Sequence, residues 1–459
     1  MELDMTKGSP FKLIVKFIVP VLLGNIFQQL YNMVDTIIVG RCVGLDALAA
    51  VGATGTILFL ILGFAMGLTT GFTVLISQRY GAGDRDGVKV AVYNAVFLSA
   101  IVSIVLTVIS ASSMRWLLTV MNTPADIFEM SYQYIIVICY GMVFTILYNI
   151  MASMLRAVGN SKVPLYFLII SAGLNIILDL VFIRTFNLGV MGASLATVVS
   201  QGVSGILCVF YTIKRVDILV PKKEHRHLDS HCIRNQLNIG VPMALQFSIT
   251  AVGTIMVQSA LNKFGSVVVG SYTAANKACN LATLPYSALG VTMATYAAQN
   301  RGVNDIDRIK KGVRVSNIMS AVYSIAIYAV ALWTLSPLMK LFIDTKSLAV
   351  PFEEIYSYGR IYMIISGTCF IPLGAIFIYR NAMQGCGFSM SAMMGGVVEL
   401  ISRAIIASVA SARMSFEGVC AADPLTWLVT GIYFFITYSF VLRKMYREKE
   451  AFLKRQKEV

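Results

Sequence analysis

Charge is scarce in this 459-residue chain: 13% of its residues are charged and 57% are hydrophobic, with a mean hydropathy of +0.75. A soluble domain carries roughly 25% charged residues, so a water-solvated globule is excluded. Histidine is nearly missing: His225, His227 and His231 are the only three, and they share one short polar stretch. No imidazole is therefore available inside an apolar segment for a proton relay or a metal centre, which weighs against a membrane-embedded enzyme. The eight cysteines form no CxxC or metal-ligand spacing, and most sit in apolar runs where cysteine behaves as a small apolar residue. There is no GxxxxGK[ST] loop, so ATP is not expected to drive anything here. Nor does the N-terminus show a short apolar region followed by a cleavage site, so no removable signal peptide is expected.

Long apolar runs are what the chain has instead. About 20 apolar residues suffice for a helix to cross a bilayer. Twelve such spans are expected, at about 13–40, 48–77, 88–112, 128–154, 163–183, 189–213, 236–262, 267–298, 314–339, 354–378, 386–410 and 425–442. The fold class is an all-α integral membrane protein. Its net charge of +14 is unevenly spread. When loops are assigned alternately to two sides, Arg41, Arg115, Arg184, Lys263, Lys340, Lys346 and Arg413 fall on one side. Lys277, Arg360 and Arg403 lie inside spans, and every other Lys and Arg falls on the opposite side. The positive-inside rule then puts both termini in the cytoplasm of a cell (inner) membrane protein. The basic excess records topology, and no nucleic-acid partner is expected.

The chain also repeats itself. "ISQRYGAGDRDGVKVA" (76–91) aligns with "AAQNRGVNDIDRIKKG" (297–312), placing Gln78 over Gln299, Gly81 over Gly302 and Asp84 over Asp305. "FNLGVMGASLATVVSQG" (186–202) aligns with "SFEGVCAADPLTWLVTG" (415–431), and Pro20 falls over Pro242. The expected organisation is an N-terminal lobe of six spans (1–213), a cytoplasmic linker (214–235), and a C-terminal lobe of six spans with a basic tail (236–459). An even number of spans per lobe gives parallel repeats, related by a pseudo-two-fold axis along the membrane normal. In transporters built this way the substrate site lies between the halves. The linker's "HRHLDSHC" (225–232) has Pro, Lys and Arg neighbours and is expected to be a solvated loop, not a metal site.

Of the acidic residues, Asp35, Asp179 and Glu399 stand well inside spans, where a lone carboxylate costs several kcal/mol. At 1.5 Å of helical rise per residue, Asp35 is roughly 9 Å inward of Arg41 and Asp179 roughly 7–8 Å inward of Arg184. Asn175 lies one turn from Asp179 on the same face. Thr197 is about 12 Å inward of Gly189, so the four share a level. Oxygen ligands suit a hard ion such as Na⁺, while two close carboxylates in a low dielectric also suit a shared proton. The plainer reading is that both acids only hydrogen-bond to neighbouring helices. Asn25, Gln28, Asn32 and Asp35, at spacings of three and four, form a polar stripe that should line water or a substrate path. Ordinary interhelical hydrogen bonding would explain it too. The matching helix carries Gln246, Thr250, Thr254 and Gln258 but no acid, because Val257 falls over Asp35. Glu399 and Arg403 are spaced i, i+4 and can neutralise each other as a structural ion pair or, alternatively, line a substrate path. Lys277 has no sequence-local partner.

On these segments the chain resembles the multidrug and toxic compound extrusion (MATE) family. The residues that carry the likeness are "LYNMVDTIIVG" (30–40), "LAAVGATG" (48–55), "LRAVGNSKVPL" (155–165), "LNIILDLVFI" (174–183), "GVMGASLAT" (189–197) and the duplicated Q-x-x-G. It is most similar to the bacterial multidrug branch that keeps its acids in the N-terminal lobe. The resemblance implies a twelve-helix, two-lobed, mostly monomeric fold that exports lipophilic organic cations against Na⁺ or H⁺, without a cofactor. It assigns Asp35, Asn175, Asp179 and Thr197 to the coupling ion and makes Pro20 the bend-forming hinge. Some members also bind ions through an acid in the seventh helix, where this chain has Thr250 or its neighbours. Two other readings compete. A flippase for a lipid-linked saccharide would need a large basic cavity, and a channel would not need the lobe repeat.

Overall fold

The computed structural model describes residues 3–342 and 350–458. Lys346, one of the charges counted above, lies outside the described residues. Among the described residues the ordered elements are all helical. In chain order they are α1 (Pro10–Cys42), α2 (Leu45–Gly81), α3 (Arg85–Val120), α4 (Ala125–Tyr140), α5 (Met142–Ala157), α6 (Lys162–Leu180), α7 (Gly189–Arg215), α8 (Ser230–Leu261), α9 (Ser266–Gly302), α10 (Ile306–Phe342), α11 (Phe352–Gly367), α12 (Phe370–Gly385), α13 (Ser389–Ala412), α14 (Phe416–Cys420) and α15 (Ala422–Glu458). Nine helical stretches among the described residues are long and apolar enough to cross a membrane, and eleven if each bent pair counts as one span. The remaining span is α9, whose 37 residues are diluted by Ser, Thr, Asn and Gly.

Two of the expected spans are broken. The run expected at 128–154 is α4 and α5, bent by 50°, and that expected at 354–378 is α11 and α12, bent by 51°. Hydropathy cannot reveal a bend, because both arms are equally apolar. At the first break sits Gly141, where a Cβ would run into the Val198 side chain of α7. Further along α7, Gly202 is tight against Phe144 and Gly205 against Leu147, so α5 and α7 approach closely. In lipid, such small-residue contacts do what the hydrophobic effect does in water.

By contacts the chain divides into two units. The first comprises Met1–Lys7, Val15–Ser248 and Ala298–Val303; the second comprises Gly8–Ile14, Ile249–Ala297 and Asn304–Val459. In the first, Gly67 and Gly71 of α2 meet the backbone of Ala244 and Gly240 of α8 with no room for a side chain. Here too the duplicated motif meets its copy. A Cβ on Gly81 would collide with the Gln299 carbonyl, and one on Gly302 with the Gln78 carbonyl. Buried Gln299 holds the N-terminal segment in place, accepting from Met5 N–H at 2.8 Å and donating to Ala157 O at 3.0 Å. Within the second unit, the core is built around Tyr286, Leu335, Met339, Met363 and Phe370.

The linker differs from expectation. α7 continues to Arg215 and α8 starts at Ser230, with short 3-10 turns at Asp217–Leu219 and Lys223–His225 between them. His225 is buried: its Nε2 lies 3.1 Å from Asp86, and its Nδ1 accepts from the Lys222 N–H at 3.3 Å. Asn94 donates to His227 O and accepts from Asp229 N–H. His227 and His231 are exposed, as a solvated loop would have them. The anchoring groups sit on α3, more than 100 residues away in sequence, and that is why composition missed them.

Candidate functional site

Asp35, Asn175 and Asp179 are buried in the first unit, and Thr197 is half-buried beside them. The structure brings all four together. The carboxyl groups of Asp35 and Asp179 lie close enough to interact. Asn175 Nδ2 donates to Thr197 Oγ1 at 3.5 Å. Ile38 and Val39, in the turn after Asp35 on α1, belong to a buried apolar cluster with Ile138, Ile183 and Ala193, and Tyr134 of that cluster interacts with both carboxyl groups. Two carboxyl groups can hydrogen-bond only through a proton, and two buried carboxylates can face each other only around a cation. Such a pair can accommodate one positive charge. Oδ1 of Asp35 is buried without a hydrogen-bond partner among the described residues, so it has a lone pair to offer. The donor set fits a proton or a small hard monovalent ion. Among the described residues no three His, Cys, Asp or Glu cluster as metal ligands.

Local backbone sets this geometry. After Asp179 the helix widens into a π turn at Val181–Thr185, closed by the Phe186 N–H on Val181 O. Such turns often mark functional sites. The regular rise used to count inward from Arg184 does not hold across it, and nothing in the sequence announced it. Gly192 of α7 is tight against Phe182 and Leu188, which draws α7 onto the turn.

Tyr31 was missed by the sequence reading. Its hydroxyl donates to Thr197 Oγ1 at 3.1 Å. The signal was available, since Tyr31 precedes Asp35 by four residues and so shares its helix face. Tyr31 also lines a cavity of about 80 Å³, with Gln28, Thr145, Asn149, Ser171 and Gln201. One tyrosine thus touches both the polar cluster and the cavity. Of the expected stripe, Gln28 lines this cavity; Asn25 is half-buried and Asn32 exposed, and neither lines it. Pro20 lies in α1, which continues unbroken through it.

The remaining candidates fall elsewhere. Gln246 is buried in the first unit, while Thr250 belongs to the second. Glu399 and Arg403 are paired as expected, at 2.9 Å. Arg403 Nε also meets Asp423 Oδ1 at 2.7 Å, an acid that falls outside the expected spans. Gly253 of α8 leaves the space that Arg403 Nη1 fills.

Comparison with known proteins agrees with this architecture. The MatE family model matches residues 20–181 and 240–409, so the chain belongs to the MatE family and is a multi-pass membrane protein. The probable multidrug resistance protein YoeA of Bacillus subtilis (strain 168) is 28% identical over 457 residues, covering 96% of each chain. The probable multidrug resistance protein YpnP of the same organism is 30% identical over 308 residues, covering 67% of this chain and 68% of its own. A solved structure described as the outward-facing conformation of a multidrug resistance MATE family transporter of the MOP superfamily superposes with a TM-score of 0.89. It covers 96% of this chain and 98% of its own at 20% identity, a level at which the likeness speaks for the fold alone.

Proposed function

We propose that this MATE-family multidrug efflux transporter is a secondary antiporter, exporting lipophilic cations in exchange for H⁺ or Na⁺ by alternating access. The observation that carries the reading is the buried pair Asp35 and Asp179, joined by Asn175 and Thr197. Facing outward, the pair takes up H⁺ or Na⁺. Neutralisation removes the negative charge that attracts a cationic substrate, and Tyr31 passes the change to the cavity it lines. At about 80 Å³ the cavity is well below the 300–1,000 Å³ of a drug-sized site, so substrate binding requires it to widen. Pro20, which lacks an amide donor, is the natural hinge for α1. Aromatic and methionine side chains such as Tyr31, Tyr148 and Met66 suit flat hydrophobic cations. The protein would act as a monomer in the cell membrane with both termini in the cytoplasm.

The test uses purified protein in sealed vesicles holding a fluorescent lipophilic cation, with H⁺ and Na⁺ gradients imposed separately. Movement driven by one gradient and lost in Asp35→Asn identifies the ion and its site. Asp35→Asn with undiminished gradient-driven efflux would sink the coupling assignment. Movement under neither gradient would turn attention to lipid-linked saccharides. Against that alternative, Arg403 has its charge already balanced by two acids.

A further inference from the structure

In the second unit, the C-terminal ends of α8 and α13 enclose a groove of about 500 Å³ that ion-coupled export does not use. Its walls are Ile255 and Met256 together with alanines of α13, and hydroxyls of Ser259, Ser408 and Ser411 run along it. Lys263, in the turn after α8, is its one charged lining residue, and no acid lines it. Ser411 is only 8% exposed, and its Oγ has no hydrogen-bond partner among the described residues. A buried hydroxyl left unpaired beside an open groove calls for a polar occupant.

The repeat sharpens the chemistry. Val257 falls over Asp35, and Ser408 precedes Arg413 by five residues as Asp179 precedes Arg184. Where the first repeat carries its carboxylates, the second carries none, while Lys263, which falls over Arg41, keeps the positive charge. A cation at the mouth, hydroxyls along the wall and an apolar floor match an anion with a hydrocarbon tail. Lys263 belongs to a loop expected on the outer side, at headgroup depth, where a lysine reaches lipid phosphates. The groove volume is in the range of a site for one small amphiphile.

We propose that this groove binds an anionic phospholipid, its phosphate held by Lys263 Nζ with Ser408 and Ser411 and one acyl chain lying along Ile255 and Met256. The test is native mass spectrometry of the purified full-length protein. Phosphatidylglycerol, phosphatidylcholine and inorganic phosphate are titrated separately into wild type, Lys263→Glu, Lys263→Arg and Ser411→Ala. Phosphatidylglycerol should bind at least about five-fold tighter than phosphatidylcholine, as one lysine near a headgroup implies. Lys263→Glu should abolish that preference, Lys263→Arg should keep it, and Ser411→Ala should weaken binding of both lipids. Because Lys263 is exposed, its substitution is not expected to disturb folding. A preference unchanged in Lys263→Glu, or displacement of phosphatidylglycerol by inorganic phosphate at equal concentration, overturns the proposal. The second outcome would mark a site for a free anion instead of a lipid.

Discussion

Arg403 Nε lies 2.7 Å from Asp423 Oδ1, while Nη2 of the same guanidinium lies 2.9 Å from Glu399. One buried cation thus ties α13 to the start of α15 through Asp423, while Glu399, one turn back on α13, holds its other side. Removing one partner from such a cluster leaves charge unpaired in a low dielectric, which costs about 3–5 kcal/mol. Arg403→Met should therefore lower the unfolding temperature in detergent sharply. Combining it with Glu399→Gln and Asp423→Asn should restore most of the loss, because the stranded charges are gone. If Arg403→Met matches an exposed substitution such as Arg413→Met, the cluster does not hold the second unit together.

Gly81 and Gly302 give a second expectation. Each faces the carbonyl of the other motif's glutamine, and backbone cannot yield as a flexible side chain does. Gly302→Ala should destabilise by about 1–3 kcal/mol, the usual effect of overpacking. A Cβ added at Gly270, on the same helix α9, would meet nothing within 4 Å, so Gly270→Ala should be neutral or stabilising by up to about 1 kcal/mol. Thermal unfolding of the two variants side by side separates crowding from helix propensity. Equal effects would mean that the close approach is not what the glycine serves.

Outside the membrane, Asp229 caps the start of α8. Its carboxylate accepts from the N–H groups of His231 at 2.8 Å and Cys232 at 3.3 Å. Those bonds, with the Cys232 amide foremost, hold its carboxyl below the usual carboxylate range. A group depressed in the folded state stabilises above its unfolded value, and the stabilisation is lost as pH falls through the folded one. Asp229→Ala should cost about 0.5–2 kcal/mol at neutral pH. The gap between variant and wild type should close under acid conditions below the ordinary aspartate range. A gap that stays constant to low pH would show that something other than the cap is responsible.

Much of this architecture was legible in sequence because the bilayer imposes strong rules. Apolar length gave the spans, and the isolated carboxylates Asp35 and Asp179 stood out because their surroundings forbid them. The Q-x-x-G duplication showed that Gly81 and Gly302 correspond, but not that they touch. What stayed hidden depends on contacts between distant segments. Asp423 fell outside the expected spans because its partner Arg403 lies 20 residues earlier, on another helix. His225 looked solvated because its partner Asp86 lies 139 positions away. The breaks at Gly141 and after Gly367, and the π turn after Asp179, leave hydropathy unchanged. Tyr31 is the exception, since its spacing from Asp35 was plain and went unused.

Tyr31 also offers the most selective test of the link between polar cluster and cavity. Its ring lines the cavity, whereas its hydroxyl meets Thr197 at 3.1 Å, so the two roles can be separated. Tyr31→Phe keeps the ring and deletes one hydrogen bond, worth about 0.5–1.5 kcal/mol. Thr197 would then lose one of its donors, and the Asp35–Asp179 pair would sit beside a less ordered hydroxyl. The concentration of the driving ion that gives half-maximal efflux should rise by roughly two- to twelve-fold, with substrate affinity in the absence of a gradient little changed. Tyr31→Ala should weaken both. An unchanged ion dependence in Tyr31→Phe, together with weakened substrate binding, would place Tyr31 in the cavity alone and leave the coupling between the two sites to another residue.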